Sequence, residues 1–222
     1  MDAVLTSRIL LGSFLLWAGI AQATVLTNQV TVGSKAGPWA YTNGGLNTAY
    51  QYGLHDQTAP TIVSTTNGFD FTAGLTLTIQ YVSGTVAASS PGYPFVDALG
   101  QTNSLANNSV DIFNGSFPTY YVSSSNYPTY LVELIGTFAT TNGSIVGTPF
   151  PVGNLKTVTI PAGATQLQLG VNDNKYADNL GSWSIQITGT AIPEPSTIVL
   201  AGLAVVPIAL ALRRQALPNK TK

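Results

Sequence analysis

Between residues 24 and 191 the runs of apolar side chains in this sequence have a period of two, and no window of twelve residues or more carries the 3.6-residue period of an amphipathic helix. In TQLQLGV, Leu167, Leu169 and Val171 alternate with polar neighbours, and in SWSIQI, Trp183, Ile185 and Ile187 do the same. Successive side chains of a strand point to opposite faces, so this alternation predicts antiparallel strands with one face buried. The runs that carry it are 69–87 (FDFTAGLTLTIQYVSGTVA), 130–140 (YLVELIGTFAT), 155–172 (LKTVTIPAGATQLQLGVN) and 182–192 (SWSIQITGTAI). Turn residues punctuate them, among them Ala73-Gly74, Pro91-Gly92, Asn142-Gly143 and Pro161-Ala162-Gly163. The expected fold is all-β, an antiparallel β-sandwich or jelly roll. Segments 38–60, 84–101 and 103–128 break the alternation and read as long loops or edge excursions.

Charge narrows the partners. Only 8% of the 222 residues are charged and the formal net charge is -1. A chain with no basic face cannot gather a polyanion, so nucleic acid is excluded as a partner. There is no cysteine, which removes disulfides, thiol catalysis and Cys-ligated metal sites.

The two ends are apolar in different ways. Arg8 precedes ILLGSFLLWAGI, and Ala21-Gln22-Ala23 follows it. A short apolar core closed by an A-x-A pattern is the layout of a secretory signal peptide, here residues 1–23 with cleavage directed by Ala21 and Ala23. The run is shorter than the ~20 residues that cross a bilayer. At the other end, 198–212 is a run of apolar residues with Pro207 inside it, closed by Arg213 and Arg214. As a helix it would extend about 22 Å, short for a hydrocarbon layer of ~30 Å. It has no polar face to turn to water. A membrane helix tolerates a proline there, and the arginines match the positive-inside rule.

Pro193-Glu194-Pro195, Ser196-Thr197, the apolar run and Arg213-Arg214 together resemble the PEP-CTERM sorting signal of bacterial envelope proteins. The resemblance covers residues 192–222, with a tail beyond Arg214 longer than the usual basic end. It implies export through the Sec translocon, signal peptidase processing, a transient membrane anchor in the C-terminal helix, and handling by a membrane-embedded exosortase near the Pro-Glu-Pro motif. The implied location is the membrane first, then the cell surface or the extracellular matrix. The working domain is then 24–191.

Within that domain the densest polar group is LGVNDNKYADNLGSWSIQI, which sets Asn172, Asp173, Asn174, Asp178 and Asn179 between two strands. Carboxylate and amide oxygens are hard ligands of the kind calcium takes. The spacing is not that of an EF-hand. The same residues also favour turns, because their side chains bond the neighbouring backbone, so spacing leaves both readings open.

The ordered string G-V-N-D…D-N-x-G-S-W-S-I-Q-I resembles the calcium loop of the small bacterial galactophilic lectins, and YLVELIG resembles a strand of the same β-sandwich family. In that family calcium bridges protein and sugar hydroxyls. The resemblance implies calcium as cofactor, with ligands from the side chains of Asp173, Asp178 and Asn179 and from the carbonyl of Lys175. A further carbonyl would fall somewhere in 88–93. This loop is two residues shorter than the family's, Asp178 stands where the family has an amide, and Leu180 where it has Ser. No residue matches the His and Gln that grip galactose; His55-Asp56-Gln57 has similar letters but lies too early in the chain.

Tyrosines gather in the irregular segments: Tyr41, Tyr50, Tyr52, Tyr93, Tyr120, Tyr121, Tyr127 and Tyr130. They suit carbohydrate stacking and loop packing alike. His55 is the single histidine, and neither G-x-S-x-G nor H-E-x-x-H occurs. Asp70 and Glu133 fall in strand-like runs and are expected to face solvent. No catalytic residue is expected and the chain does not read as an enzyme. Two functional readings remain: a lectin-like calcium domain that binds surface or matrix polysaccharide, and a structural surface protein in which the loop is only a turn.

Overall fold

A computed structural model describes residues 23–89, 91–106, 116–122 and 129–192. The signal peptide (1–22 of it), the sorting motif Pro193-Glu194-Pro195, the helix at 198–212 and Arg213-Arg214 lie outside the described residues. No helix among the described residues is long and apolar enough to cross a membrane. Residues Ala23–Pro193 form one compact unit.

The described chain is all-β. Ten strands run in the order β1 (Val25–Gly33), β2 (Thr61–Ser64), β3 (Thr76–Ala87), β4 (Gln101–Leu105), β5 (Tyr130–Leu131), β6 (Leu134–Ala139), β7 (Phe150–Pro151), β8 (Leu155–Thr159), β9 (Gln166–Val171) and β10 (Leu180–Thr190), with three single-turn 3-10 helices. One four-stranded antiparallel sheet has the order β1-β10-β3-β8 and a second the order β2-β9-β6-β7, while β4 and β5 pair apart from both.

The two sheets bury differently. In the first, Trp183, Ile185 and Ile187 of β10 and Leu77 and Ile79 of β3 are fully buried, and the residues between them are partly exposed. Burying each such side chain contributes about 1.5–3 kcal/mol. The second sheet is buried at every position of β6 and β9. Leu167, Leu169 and Val171 belong to the common core, whereas Gln166 and Gln168 lie on the opposite face, which is covered too. The cover is the long segment after β1. Ala40 N–H donates to Gln168 Oε1 at 2.9 Å. Gly37 crosses directly over Gly170, where a Cβ would come 2.2 Å from the Gly37 carbonyl oxygen.

Three expectations need correction. The alternating run 69–87 is not one strand: Phe69 makes a lone bridge to Ala191, a turn follows, and β3 begins at Thr76. The run 130–140 is broken between β5 and β6, where Val132 takes a left-handed φ of 52°, uncommon for a β-branched residue. Its N–H bonds the Asn172 carbonyl at 2.8 Å. Glu133 beside it does not face solvent. It is fully buried, and its Oε2 accepts the Tyr130 N–H at 2.9 Å. Asp70 is half-buried and caps its own turn through the N–H and hydroxyl of Thr72.

Candidate functional site

The loop 172–179 leaves β9 in one sheet and enters β10 in the other, so it spans the end of the sandwich. Six Asn, Asp and Lys side chains here compete for main-chain partners, and the structure sorts them by depth. Asn172 is a bracket: its Nδ2 donates to the Tyr130 carbonyl at 2.8 Å and its Oδ1 accepts the Thr119 N–H at 3.3 Å. Tyr176 is the plug. It is fully buried, its hydroxyl donates to the Val171 carbonyl at 2.8 Å, and its ring meets Tyr52 edge-on at 5.9 Å. Lys35 Nζ donates to the Ala177 carbonyl at 2.6 Å, and Asn179 Nδ2 to the Ser34 carbonyl at 3.0 Å.

The exit of the loop requires glycine. Gly181 has φ +91°, and a Cβ there would stand 2.0 Å from the Thr85 carbonyl oxygen. Ser34 N–H bonds the Gly181 carbonyl at 3.1 Å, which ties β1, β3 and β10 together below the loop.

Asp173 Oδ1 accepts the N–H groups of Asn174 at 2.7 Å and Lys175 at 3.2 Å, the geometry of an Asx turn. Its other oxygen, Oδ2, is buried and has no hydrogen-bond partner. The same holds for Asp178 Oδ1 and Asn179 Oδ1. Burial pushes the Asp173 carboxyl up to about 7 against the opposing N–H groups of Lys175 and Asn174 and the Asn179 amide, and the charge of Asp178 adds to the rise. Asp178 Oδ2 holds the Lys175 ammonium at 2.8 Å on the exposed rim. The structure therefore brings Asp173, Lys175, Asp178 and Asn179 into one turn and leaves a lone oxygen on each of Asp173, Asp178 and Asn179. No group of three or more His, Cys, Asp or Glu side chains suited to a metal exists among the described residues; the third side-chain oxygen of this group is an amide.

Asp56 is the residue that sequence reasoning passed over. Its carboxylate accepts the Tyr176 N–H at 3.1 Å and the Ala177 N–H at 2.9 Å. No local pattern announces a partner so far along the chain. The tyrosines divide similarly. Tyr52 is buried against Trp39 at 4.8 Å, Tyr50 and Tyr121 pack around the same indole, and among the described tyrosines only Tyr93 and Tyr120 are exposed. Tyr127 lies outside the described residues.

No protein family matches the sequence, and no curated protein matches it either. Among solved structures the chain is similar to one described as "EclA N-terminal domain; PllA-like lectin", at 19% identity over 72% of this chain and 94% of that one, with a TM-score of 0.36.

Proposed function

We propose that the loop 172–179 holds a calcium ion and that the domain is an exported, calcium-stabilised β-sandwich that binds polysaccharide at the cell surface or in the matrix. One observation carries the calcium reading: three buried oxygens, on Asp173, Asp178 and Asn179, have no hydrogen-bond donor. A buried acceptor without a donor costs on the order of 1–3 kcal/mol, and two of these belong to neighbouring carboxylates that repel. A hard cation answers both costs. Calcium bound there would supply positive charge to the two carboxylates and coordination positions for ligand hydroxyls. Asp173, Asp178 and Asn179 would hold it by side chain and Lys175 by carbonyl. Asn172, Tyr176 and Asp56 keep the turn in shape.

Export, exosortase handling and the passing membrane anchor rest on the terminal motifs alone. The carbohydrate part rests on the resemblance of the loop to that of the galactophilic lectins.

The second reading, a structural surface protein whose loop is only a turn, is favoured by the two main-chain N–H groups already bound to Asp173 Oδ1. The two readings part on a melting experiment with the full-length chain. With calcium at 100-fold its dissociation constant, the linkage is worth about 2.7 kcal/mol, a rise of roughly 5–10 °C over the chelated protein. Asp173→Ala is expected to abolish that rise. An identical melting temperature with calcium and with chelator would leave the turn reading standing.

A further inference from the structure

The first sheet ends at β1, and one stretch of that edge is open. The Thr24 carbonyl accepts the Ala191 N–H at 2.8 Å, so in the antiparallel ladder the even-numbered residues of β1 bond β10. The odd-numbered residues turn their N–H and C=O groups outward. Thr31 is closed there, because its carbonyl accepts the Thr61 hydroxyl at 3.0 Å. The outward main-chain groups of Val25, Thr27 and Gln29 meet no partner among the described residues. We propose that this edge pairs with the same edge of a second copy of the chain, across a two-fold axis at Thr27. The inference is independent of the calcium and polysaccharide readings.

Composition selects the occupant. Sheet edges are ordinarily guarded by brevity, proline or charge. β2 has four residues, β7 has two of which one is proline, and β8 has five with Lys156 among them. β1 has nine, with no charge and no proline. Its neighbours β10 and β3 carry no charge either. Two copies therefore meet without like-charge repulsion, whereas a strand rich in Lys, Arg, Asp or Glu would find no counter-charge. Val25, at 72%, is the most exposed large apolar side chain among the described residues, and it stands on this edge.

The register follows from which groups are open. With Thr27 opposite its own equivalent, Val25 falls opposite Gln29, and each such pair exchanges two N–H···O bonds. Every open group is used and the pairing stops short of Thr31. Threonine already pairs with threonine along this row: Thr27 lies beside Thr188, Thr188 beside Thr78, and Thr78 beside Thr157. The hydroxyls are 3.1 Å apart in the first pair and 3.0 Å in the last. The second copy continues the row across the axis, and the exposed Val25 packs on the methylenes of Gln29. So short a pairing buries less than the roughly 1,200 Å² of stable complexes. The dimer is accordingly weak, with a dissociation constant on the order of 10 μM or more, and it forms where copies are crowded together.

Two measurements on the full-length chain test it. Sedimentation equilibrium reads self-association. Thr27→Lys sets like charges about 5.5 Å apart across the axis and is expected to weaken self-association at least tenfold, as is Thr27→Glu. An equimolar mixture of the two variants is expected to restore it. Thr27 is exposed, so both variants are expected to melt as the unsubstituted chain does. Association through the apolar ends would be the same in every variant. A chain that stays monomeric, association unchanged by Thr27→Lys, or a mixture that fails to recover it would each overturn the proposal. The second measurement uses the absence of cysteine, which lets one introduced thiol report its own neighbour. Thr27→Cys is expected to give a disulfide-linked dimer under mild oxidation, since opposed Cα atoms at about 5.5 Å lie within disulfide range. Thr157→Cys, exposed on the far edge, is expected to stay unlinked over the same time. Equal linking of the two variants, or none in Thr27→Cys, would overturn the pairing.

Discussion

Asp56 and Tyr176 stand 120 residues apart in sequence, and both carboxylate oxygens of Asp56 lie 3.1 Å from the Tyr176 main-chain nitrogen. With the Ala177 N–H at 2.9 Å, this carboxylate closes a turn that its own chain neighbourhood does not build. Hydrogen bonds to a charged acceptor contribute about 1.5–3 kcal/mol. Asp56→Ala is therefore expected to lower the urea-unfolding free energy by about that amount and to weaken calcium binding. Asp56→Asn, which keeps one acceptor, is expected to lose less. A variant with unchanged stability and calcium affinity would show that the turn holds itself.

The Lys175 ammonium sits 2.8 Å from Asp178 Oδ2 on the exposed rim of the loop. A fixed positive charge beside a cation ligand competes with the cation. Lys175→Ala is expected to leave the melting temperature of the chelated protein unchanged and to tighten calcium binding several-fold, an effect that fades as salt is raised. Weaker binding in this variant would mean that the lysine helps to shape the site.

Gly181 combines a left-handed φ with a Cβ direction blocked by the Thr85 carbonyl oxygen. Gly181→Ala adds the cost of that conformation to a backbone clash, about 3 kcal/mol or more. Thermal melts are expected to fall by roughly 6–12 °C in a domain of this length. A loss within 2 °C would contradict the close approach of β3 and β10 below the loop.

Tyr176→Phe removes a buried hydroxyl and leaves the Val171 carbonyl short of the donor it has at 2.8 Å. The expected loss is about 1–3 kcal/mol, read by denaturant titration. The calcium response is expected to survive, because no proposed ligand is altered.

The terminal signals predict that the mature protein begins at Thr24 and ends near Pro195. Intact-mass spectrometry of protein recovered from the envelope or the medium reads both ends at once. A chain that still carries residues 196–222 would remove exosortase processing from the account.

The sequence by itself determined the class of this fold, because side-chain alternation is local: Leu167, Leu169 and Val171 on β9 and Trp183, Ile185 and Ile187 on β10 are buried as their spacing predicts. It also drew the Asn/Asp loop between those two strands. What the sequence did not disclose depends on distant segments. Gln166 and Gln168 read as solvent-facing residues, yet they are buried because the chain after β1 folds back over that face. Glu133 reads as exposed and is enclosed at the kink between β5 and β6. Phe69 keeps the alternation of β3 but joins no sheet beyond one bridge. The site divides in the same way. The oxygens of Asp173, Asp178 and Asn179 come from one turn and are legible as a group. Their lack of donors, the clasp of Asp56 and the bracket of Asn172 on Tyr130 and Thr119 exist only once residues 34–58, 116–122 and 129–133 meet the loop. Periodicity tells a residue which face of its own strand it occupies. It carries no information about what will cover that face, and burial, hydrogen-bond satisfaction and charge are all decided by the cover.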